Sequence, residues 1–207
     1  MRRGAERAAI AVFAKAPVAG FAKTRLIPEI GAERAADLQA RLIEKAIATA
    51  QTADLGPVSL WCAPSRQHKL FQSLAEKSGI GLYDQVGADL GARMLHAFET
   101  ITPRLPTLLI GTDCPALRSD DLSRCLEALQ PGIDAVFIPA EDGGYVLAAM
   151  KRPHPELFSG ISWGTSEVMA QTRARAIQSK LRIAESATLW DLDNPADYQR
   201  ALALGLI

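Results

Sequence analysis

The stretch AAIAVFAKAPVAGFAKTRL, residues 8–26, decides the fold. Its apolar run is seven residues long and ends at Lys15, which is typical of a buried strand. Arg2 and Arg3 precede the run, as in a signal peptide, but a secretory apolar segment is usually longer and is followed by a cleavage site. The stretch therefore predicts a first strand that leads directly into a basic loop.

Apolar strands and amphipathic helices alternate along the rest of the chain. We expect further strands over 58–63, 107–112, 134–140, 144–150 and 181–185, and helices over 32–51, 66–78, 88–101, 119–130, 165–179 and 196–203. Such a pattern predicts an α/β protein with a mostly parallel central sheet and helices on both faces. The EDGG turn leaves two possibilities for the strands around it, a hairpin or a strand with a crossing neighbour. No linker divides the chain, so we expect one domain over residues 1–207.

Composition argues against several classes of protein. Lys plus Arg and Asp plus Glu both number 23, and the resulting zero net charge argues against a nucleic-acid or anionic-membrane binder. No apolar stretch approaches the roughly 18 residues of a membrane span. The three cysteines are far apart and form no CxxC pair, so we expect no disulfide framework or thiolate zinc site, and a cytoplasmic location.

The loop after the first strand combines Gly20 with three cations, Lys15, Lys23 and Arg25. Backbone N–H groups beside Lys and Arg suit phosphate oxygens. The loop has neither the P-loop pattern nor the GxGxxG pattern of dinucleotide-binding proteins. It is either a phosphate-binding loop or a basic surface loop.

Three carboxylates lie where the sequence predicts strand ends or extended chain. Asp113 follows the strand over 107–112 and could hold a divalent cation that bridges substrate phosphates, or could cap the next turn. Asp191 and Asp193 alternate, so an extended chain directs both to one side, where their repulsion favours a cation. The alternative is that this segment caps the helix that starts near Pro195.

The turn EDGG, residues 141–144, offers a second kind of site. Its two glycines let the backbone approach a ligand closely. Asp142 could contact a sugar hydroxyl or a metal. Tyr145 could bind a ligand or simply start a strand and pack in the core.

Four motifs in this order resemble GT-A-type nucleotide-dependent transferases: KxPxxGxxKTRL, GTDCP, DGGY and DLDNPADY. The resemblance runs from about Ala8 to Leu202. It is closest to a family of bacterial glycosyltransferase-like proteins, some of them associated with arsenosugar biosynthesis, in the nucleotide-diphospho-sugar transferase superfamily. It is more distant to the guanylyltransferases of molybdenum cofactor and coenzyme F420 biosynthesis.

The resemblance implies a single GT-A-like domain and assigns residues to it. The nucleotide-binding residues would be Lys15, Pro17, Gly20, Lys23, Thr24, Arg25, Leu90, Gly91 and Arg93. The substrate-binding residues would be Asp142, Gly143, Gly144 and Tyr145. Asp113, Asp191 and Asp193 would hold a divalent cation, Mg²⁺ or Mn²⁺. The catalytic residues would be Asp113, Lys23 and Asp142, the last positioning or deprotonating the acceptor hydroxyl.

The expected function is that of a metal-dependent glycosyltransferase-like enzyme. It would transfer a sugar from a nucleotide-diphosphate sugar to a small acceptor. Two departures leave the reaction open: Asp113 stands alone where classical GT-A enzymes carry D-x-D, and the GG-x-x-x-R first loop of the guanylyltransferases is missing. One alternative is a nucleotidyltransferase that joins an NTP to a phosphorylated small acid and releases pyrophosphate. The other is a non-catalytic nucleotide-binding module.

Overall fold

Residues 7–207 are described by a computed structural model. Arg2, Arg3 and the rest of the first six residues of the expected domain lie outside the described residues. The strands are β1 Ala9–Lys15, β2 Val58–Ala63, β3 Gly81–Asp84, β4 Thr107–Ile110, β5 Ala135–Pro139, β6 Tyr145–Met150 and β7 Ile183–Glu185. The helices are α1 Ile27–Ile30, α2 Ala32–Thr52, α3 Lys69–Ser78, α4 Leu90–Ile101, α5 Ser119–Ala128, α6 Val168–Gln178 and α7 Pro195–Ala203. Short 3₁₀ turns cover Thr24–Leu26 and Pro155–Leu157.

All seven strands form one sheet in the order β3-β2-β1-β4-β6-β5-β7. Strand β6 runs antiparallel to its neighbours β4 and β5, and every other pair is parallel. The predicted α/β architecture with a mostly parallel sheet is confirmed. The EDGG turn joins a β5–β6 hairpin, which decides between the two possibilities for these strands.

The core lies on both faces of the sheet, and β1 shows why its sequence is continuously apolar. Ile10 and Val12 point into a cluster with residues of α2 and α3, whereas Ala11 and Phe13 point into a cluster with residues of α4 and α6. A strand that is covered on both faces has no polar side. Burying apolar surface contributes roughly 25 cal/mol per Å² to the free energy of folding, and this stabilises the packing of helices on both faces.

Several elements are shorter than predicted: helix α3 begins at Lys69 instead of 66, strand β4 ends at Ile110 instead of 112, and helix α5 ends at Ala128 instead of 130. Strand β7 begins at Ile183 instead of 181. Helix α4 begins at Leu90, two residues after its predicted start, because the carboxylate of Asp89 caps it by accepting the Ala92 N–H at 2.8 Å. Helix α6 begins at Val168 instead of 165. Strand β3 was not predicted, because its four residues are only half-buried at the edge of the sheet and lack an apolar run.

The topology brings the functional candidates to one edge of the sheet. The carboxyl ends of β1, β2 and β4 meet there, and the tip of the β5–β6 hairpin lies at the same edge because β5 runs in the same direction. Ligands of open α/β sheets bind at this edge. No helix within residues 7–207 is long and apolar enough to cross a membrane.

Candidate functional site

A cleft of about 1110 Å³ opens at this edge of the sheet. Its walls include the loop after β1, the β5–β6 turn, the start of α4 and the extended segment over 191–193. Clefts that bind small molecules usually measure roughly 300 to 1,000 Å³. The volume of this cleft therefore reaches the upper end of that range.

Lys23 lies at the centre of the charged part of this cleft. Its ammonium donates to the carbonyl of Leu192 at 2.6 Å and pairs with Asp113 at 2.5 Å and Asp193 at 3.2 Å. An ammonium has three N–H donors, so the protein itself uses all of them. Lys23 was predicted to contact phosphate, and in this structure it instead holds two carboxylates together.

The environment of Lys23 explains its charge. Its side chain is 5% exposed, and this burial lowers the pKa of the lysine. The negative charges of Asp113 and Asp193 outweigh the burial, and they raise the pKa above its ordinary value. The side chain therefore stays an ammonium ion in a nearly buried position.

The three carboxylates that the sequence singled out come together from distant parts of the chain. Asp113 follows β4, and its carbonyl accepts the Leu192 N–H at 2.7 Å, which fixes the late segment beside the strand end. Asp193 lies on that segment and reaches Lys23, while Asn194 caps helix α7 by accepting the Asp197 N–H at 3.1 Å. The segment thus contributes both to the acidic cluster and to a helix cap.

Asp191 is the most buried of these carboxylates. Burial and the negative charges of Asp113, Asp142 and Asp193 together raise its pKa to about 8, against the opposing effect of Lys23. Four carboxylates thus lie close enough to influence one another around a single ammonium. Such an excess of negative charge favours a bound cation.

The chemistry of this donor set fits a divalent cation. Mg²⁺ and Mn²⁺ prefer carboxylate oxygen and water as ligands. Across residues 7–207, no group of three or more His, Cys, Asp or Glu side chains converges with the spacing of a finished metal site. The oxygens are present, but the Lys23 ammonium engages two of the three expected ligands.

The basic loop offers further cations to the cleft. Arg25 is exposed and lines the cleft, and no carboxylate within the described part of the chain forms a salt bridge with it. Lys15 also lines the cleft, but its ammonium donates to the carbonyl of Phe21 at 2.9 Å and so braces the loop. Thr24 lines the cleft too, whereas Pro17 and Gly20 belong to the same loop without lining it.

The β5–β6 turn presents Asp142 to the cleft. The Asp142 carboxylate accepts the Gly144 N–H at 2.8 Å, and both residues line the cleft. Gly143 does not line the cleft, and only glycine fits at this position of the turn. Its φ is +92°, and a Cβ would lie 2.0 Å from the carbonyl oxygen of Ser166.

Tyr145 both packs in the core and faces the cleft, and its role in binding a ligand stays a prediction. It starts β6 and packs against Phe137 at a ring distance of 5.0 Å, while it also lines the cleft. The only hydrogen bond that its hydroxyl makes within residues 7–207 is to the sulfur of Met94, at 3.8 Å, and burial raises the pKa of the phenol far above its ordinary value. Tyr145 is therefore a neutral wall residue.

The start of α4 forms the side wall of the cleft. Leu90 and Arg93 line it, and the Arg93 Nε donates to the carbonyl of Gly87 at 3.2 Å. Gly91 lies against the indole of Trp163, where a Cβ would come within 2.5 Å of the ring. Gly91 thus allows helix α4 to touch the loop that precedes α6.

Sequence reasoning missed several residues that line the cleft. Gln85 follows the unpredicted β3, and its amide Nε2 donates to the carbonyls of Trp61 at 2.9 Å and Ala14 at 3.3 Å. Gln39 reaches the cleft from α2 and donates to the Thr112 hydroxyl at 3.2 Å. The strand-end rule could have found Gln85 only if β3 had been predicted, and it does not apply to a helix residue such as Gln39.

Trp163 also lines the cleft, and its indole N–H is buried without a hydrogen-bond partner among residues 7–207. Its ring packs edge-on against Tyr145 at 6.4 Å. The structure places it in the wall of the cleft.

A family model described as "Uncharacterized protein conserved in bacteria (DUF2064)" matches residues 36–165. The chain belongs to this family. The matched region of the DUF2064 protein includes Asp113 and the β5–β6 turn, whereas Lys23, Asp191 and Asp193 lie outside it. A comparison with curated protein sequences finds no match.

Solved structures share the fold of this DUF2064 protein. A provisional nucleotide-diphospho-sugar transferase from Desulfovibrio desulfuricans G20 is 26% identical, with a TM-score of 0.84 over 94% of this chain and 85% of that one. A cytidylyltransferase from Leptospira borgpetersenii is 15% identical, with a TM-score of 0.60 over 93% and 83% of the two chains. Glucosyl-3-phosphoglycerate synthase from Mycobacterium tuberculosis, solved with Mn²⁺ and UDP, is 10% identical, with a TM-score of 0.55 over 98% and 77%.

These neighbours establish the fold as that of the GT-A and nucleotidyltransferase group. The fold expected from the resemblance is confirmed. Since the group includes both glycosyltransferases and cytidylyltransferases, the fold alone does not choose between the two reactions.

Proposed function

We propose that this DUF2064 protein is a metal-dependent, glycosyltransferase-like enzyme that uses a nucleotide-diphosphate sugar and a small acceptor. One observation carries the proposal. Asp113, Asp193 and Lys23 are in direct contact at the edge of the sheet where ligands of such folds bind, and Asp191 lies close enough to respond to their charges. A protein that only kept the fold would gain nothing from this costly cluster.

The nucleotide diphosphate would lie between the basic loop and the acidic cluster. Arg25 supplies a cation that no carboxylate of residues 7–207 neutralises by a salt bridge, and Lys15 shapes the loop beside it. Asp113, Asp191 and Asp193 would hold Mg²⁺ or Mn²⁺, which, when bound, neutralises charge on the departing nucleoside diphosphate. The start of α4, with Leu90 and Arg93, would close the nucleotide side of the cleft.

The acceptor would lie near the β5–β6 turn. Asp142 is exposed in the cleft, and the Gly144 N–H fixes one of its carboxylate oxygens. The other oxygen can orient an acceptor hydroxyl or take its proton. Tyr145 and Trp163 provide apolar and aromatic surface beside it, as is common where sugars or other small organic molecules bind.

A nucleotidyltransferase reaction is the second candidate. Three carboxylates next to one another, with Asp142 nearby, suit two metal ions better than one. Such an enzyme would take a whole NTP and release pyrophosphate. Pyrophosphate release distinguishes the two reactions directly, because a glycosyltransferase releases a nucleoside diphosphate.

A thermal-shift screen against nucleotide-diphosphate sugars and NTPs, with Mg²⁺ or Mn²⁺, identifies the donor first. A ligand at 100 times its Kd adds about 2.7 kcal/mol to the free energy of unfolding. A metal-dependent shift with one diphosphate sugar supports the glycosyltransferase, and a shift with an NTP alone supports the nucleotidyltransferase. If no nucleotide shifts the transition, the proposed function is wrong.

Asp113→Ala tests the acidic cluster in the reaction so identified. We expect turnover to fall by roughly 10²-fold or more, because Asp113 would hold the metal that neutralises charge on the leaving nucleoside diphosphate. Asp120→Ala removes an exposed carboxylate from the first turn of α5 and serves as the matched control. Turnover in Asp113→Ala that matches this control would contradict the proposal.

A further inference from the structure

We propose that Lys23 is an internal cation that competes with the divalent metal for Asp113 and Asp193, so that metal binding releases the Lys23 side chain. This inference rests on the metal-dependent part of the proposed function. It assigns Lys23 two positions, one between the carboxylates and one in the cleft.

In this position, the contacts of Lys23 leave none of its N–H donors free for a substrate. All three N–H donors are used, at 2.5 Å to Asp113, 3.2 Å to Asp193 and 2.6 Å to the Leu192 carbonyl. With 5% of its side chain exposed, the lysine cannot contact a substrate phosphate from there. It has to leave the carboxylates before it can act on a nucleotide.

A metal ion on the same carboxylates forces this departure. An ammonium and a divalent cation that share two carboxylates lie a few ångströms apart and repel each other in a partly buried place. The flexible four-carbon stem of lysine lets the ammonium move while its backbone stays in place. The released ammonium is then available to the phosphates that the metal attracts.

The backbone of Lys23 also fits a residue with a functional constraint. Its φ of 45° and ψ of 47° lie in the left-handed region, which non-glycine residues rarely adopt. Such conformations persist where the surroundings impose them and are concentrated at functional sites. The Lys23 carbonyl accepts the Leu26 N–H at 2.9 Å, so a backbone contact separate from the ammonium holds this conformation at the start of the 3₁₀ turn.

Isothermal titration calorimetry of the whole protein with Mn²⁺, without any nucleotide, tests the competition. Lys23→Met removes the competing charge, and we expect the affinity for Mn²⁺ to rise by about tenfold or more. Lys45→Met is the matched control, because the Lys45 ammonium donates to the Leu206 carbonyl at 2.8 Å and forms no salt bridge within the described residues. Unchanged or weaker Mn²⁺ binding in Lys23→Met would overturn the inference.

A second measurement uses the unmodified protein, so it does not depend on the folding of a variant. Lysine acetylation followed by mass spectrometry reports which ammonium groups are accessible. We expect Lys23 to be protected from acetylation without metal and to become reactive at saturating Mn²⁺. The acetylation rate of Lys45 should be the same with and without Mn²⁺. Protection of Lys23 that persists at saturating Mn²⁺ would overturn the inference.

Neither measurement contains a nucleotide, so the two proposals can fail separately. Competition between Mn²⁺ and Lys23 without any nucleotide response supports the inference and refutes the transferase. Nucleotide turnover without any Mn²⁺ binding to wild type or Lys23→Met overturns the inference and leaves a metal-free transferase.

Discussion

His154 shows how one buried side chain ties stability to pH. It is 6% exposed at the edge of the sheet opposite the cleft, its Nε2 lies 3.9 Å from the Asp134 carboxylate, and Nε2 has no hydrogen-bond partner within residues 7–207. Burial lowers the pKa of His154 below its ordinary value of 6.5, although the charge of Asp134 acts in the opposite direction. As pH falls, His154 therefore takes up a proton in the unfolded chain at a higher pH than in the folded protein.

We predict that His154→Gln flattens the pH dependence of stability on the acid side. Because the folded pKa is lowered, the contribution of His154 is present above pH 6.5 and is lost as pH falls through the folded value. One such group changes the free energy of unfolding by at most about 1.4 kcal/mol per pH unit. Urea unfolding between pH 7.5 and pH 5 checks this, and parallel profiles for the variant and wild type would contradict it.

In the charged cluster, the grouping of the carboxylates was predicted from the sequence, whereas their pairing with a lysine was not. The resemblance assigned Asp113, Asp191 and Asp193 to one metal site, and the structure places Asp113 and Asp193 on the same ammonium with Asp191 close to them. The pairing of Lys23 with the carboxylates was not predicted. A strand-end rule places a residue at an edge, but it does not give the direction of a long flexible side chain.

Among the elements, the β5–β6 hairpin depends most clearly on close packing against a helix. The carbonyl of Gly143 accepts the Met169 N–H at 2.8 Å, so the tip of the hairpin is joined to the first turn of α6. The carbonyl of Ser166 occupies the space where a side chain of residue 143 would begin. This contact fixes the turn that presents Asp142.

We predict that Gly143→Ala destabilises the protein by about 2 to 4 kcal/mol, from the sum of a steric clash and an unfavourable backbone conformation. Gly31→Ala is the matched control, because Gly31 has a similar φ of +82° but nothing within 4 Å of the added Cβ. It should lose only about 1 to 2 kcal/mol. Equal shifts of the urea midpoint in the two variants would show that the Ser166 contact carries no energy.

The sequence predicted the elements that have continuous or regular apolar patterns. Strands β1 and β2 and helix α2 are within about one residue of their predicted bounds, because their buried positions follow a clear period. Strand β3 was not predicted because an edge strand of four half-buried residues has no continuous apolar run in its sequence. The antiparallel direction of β6 depends on the tight EDGG turn, which apolar patterning alone does not encode.

At the scale of the whole molecule, the cleft joins two halves of the sheet. Helix α4 follows the half with β1, β2 and β3, and the Trp163 loop follows the half with β5 and β6. The contact of Gly91 with the Trp163 ring connects these halves across the cleft. The width of the cleft therefore depends on a residue without a side chain.

We predict that Gly91→Ala weakens donor binding by roughly tenfold, since a displacement of about 1 Å of groups around a bound substrate is costly. The control is Gly81→Ala on the edge strand, where the added Cβ would meet only the ring of the exposed Tyr83, at 3.1 Å. Thermal shifts with the identified donor measure both variants. Wild-type affinity in Gly91→Ala would show that the contact does not set the width of the cleft.

The long separation of Lys23 from its partners has a consequence during translation. Lys23 and Asp193 are 170 residues apart, and ribosomes add about 5 to 20 residues per second, so the lysine is made roughly ten to thirty seconds before that partner. Throughout that interval the growing polypeptide has the basic loop without the late acidic segment. Nascent chains that end before Asp193 therefore lack part of the proposed site, and Lys23 in them has neither the Asp193 carboxylate nor the Leu192 carbonyl as a partner.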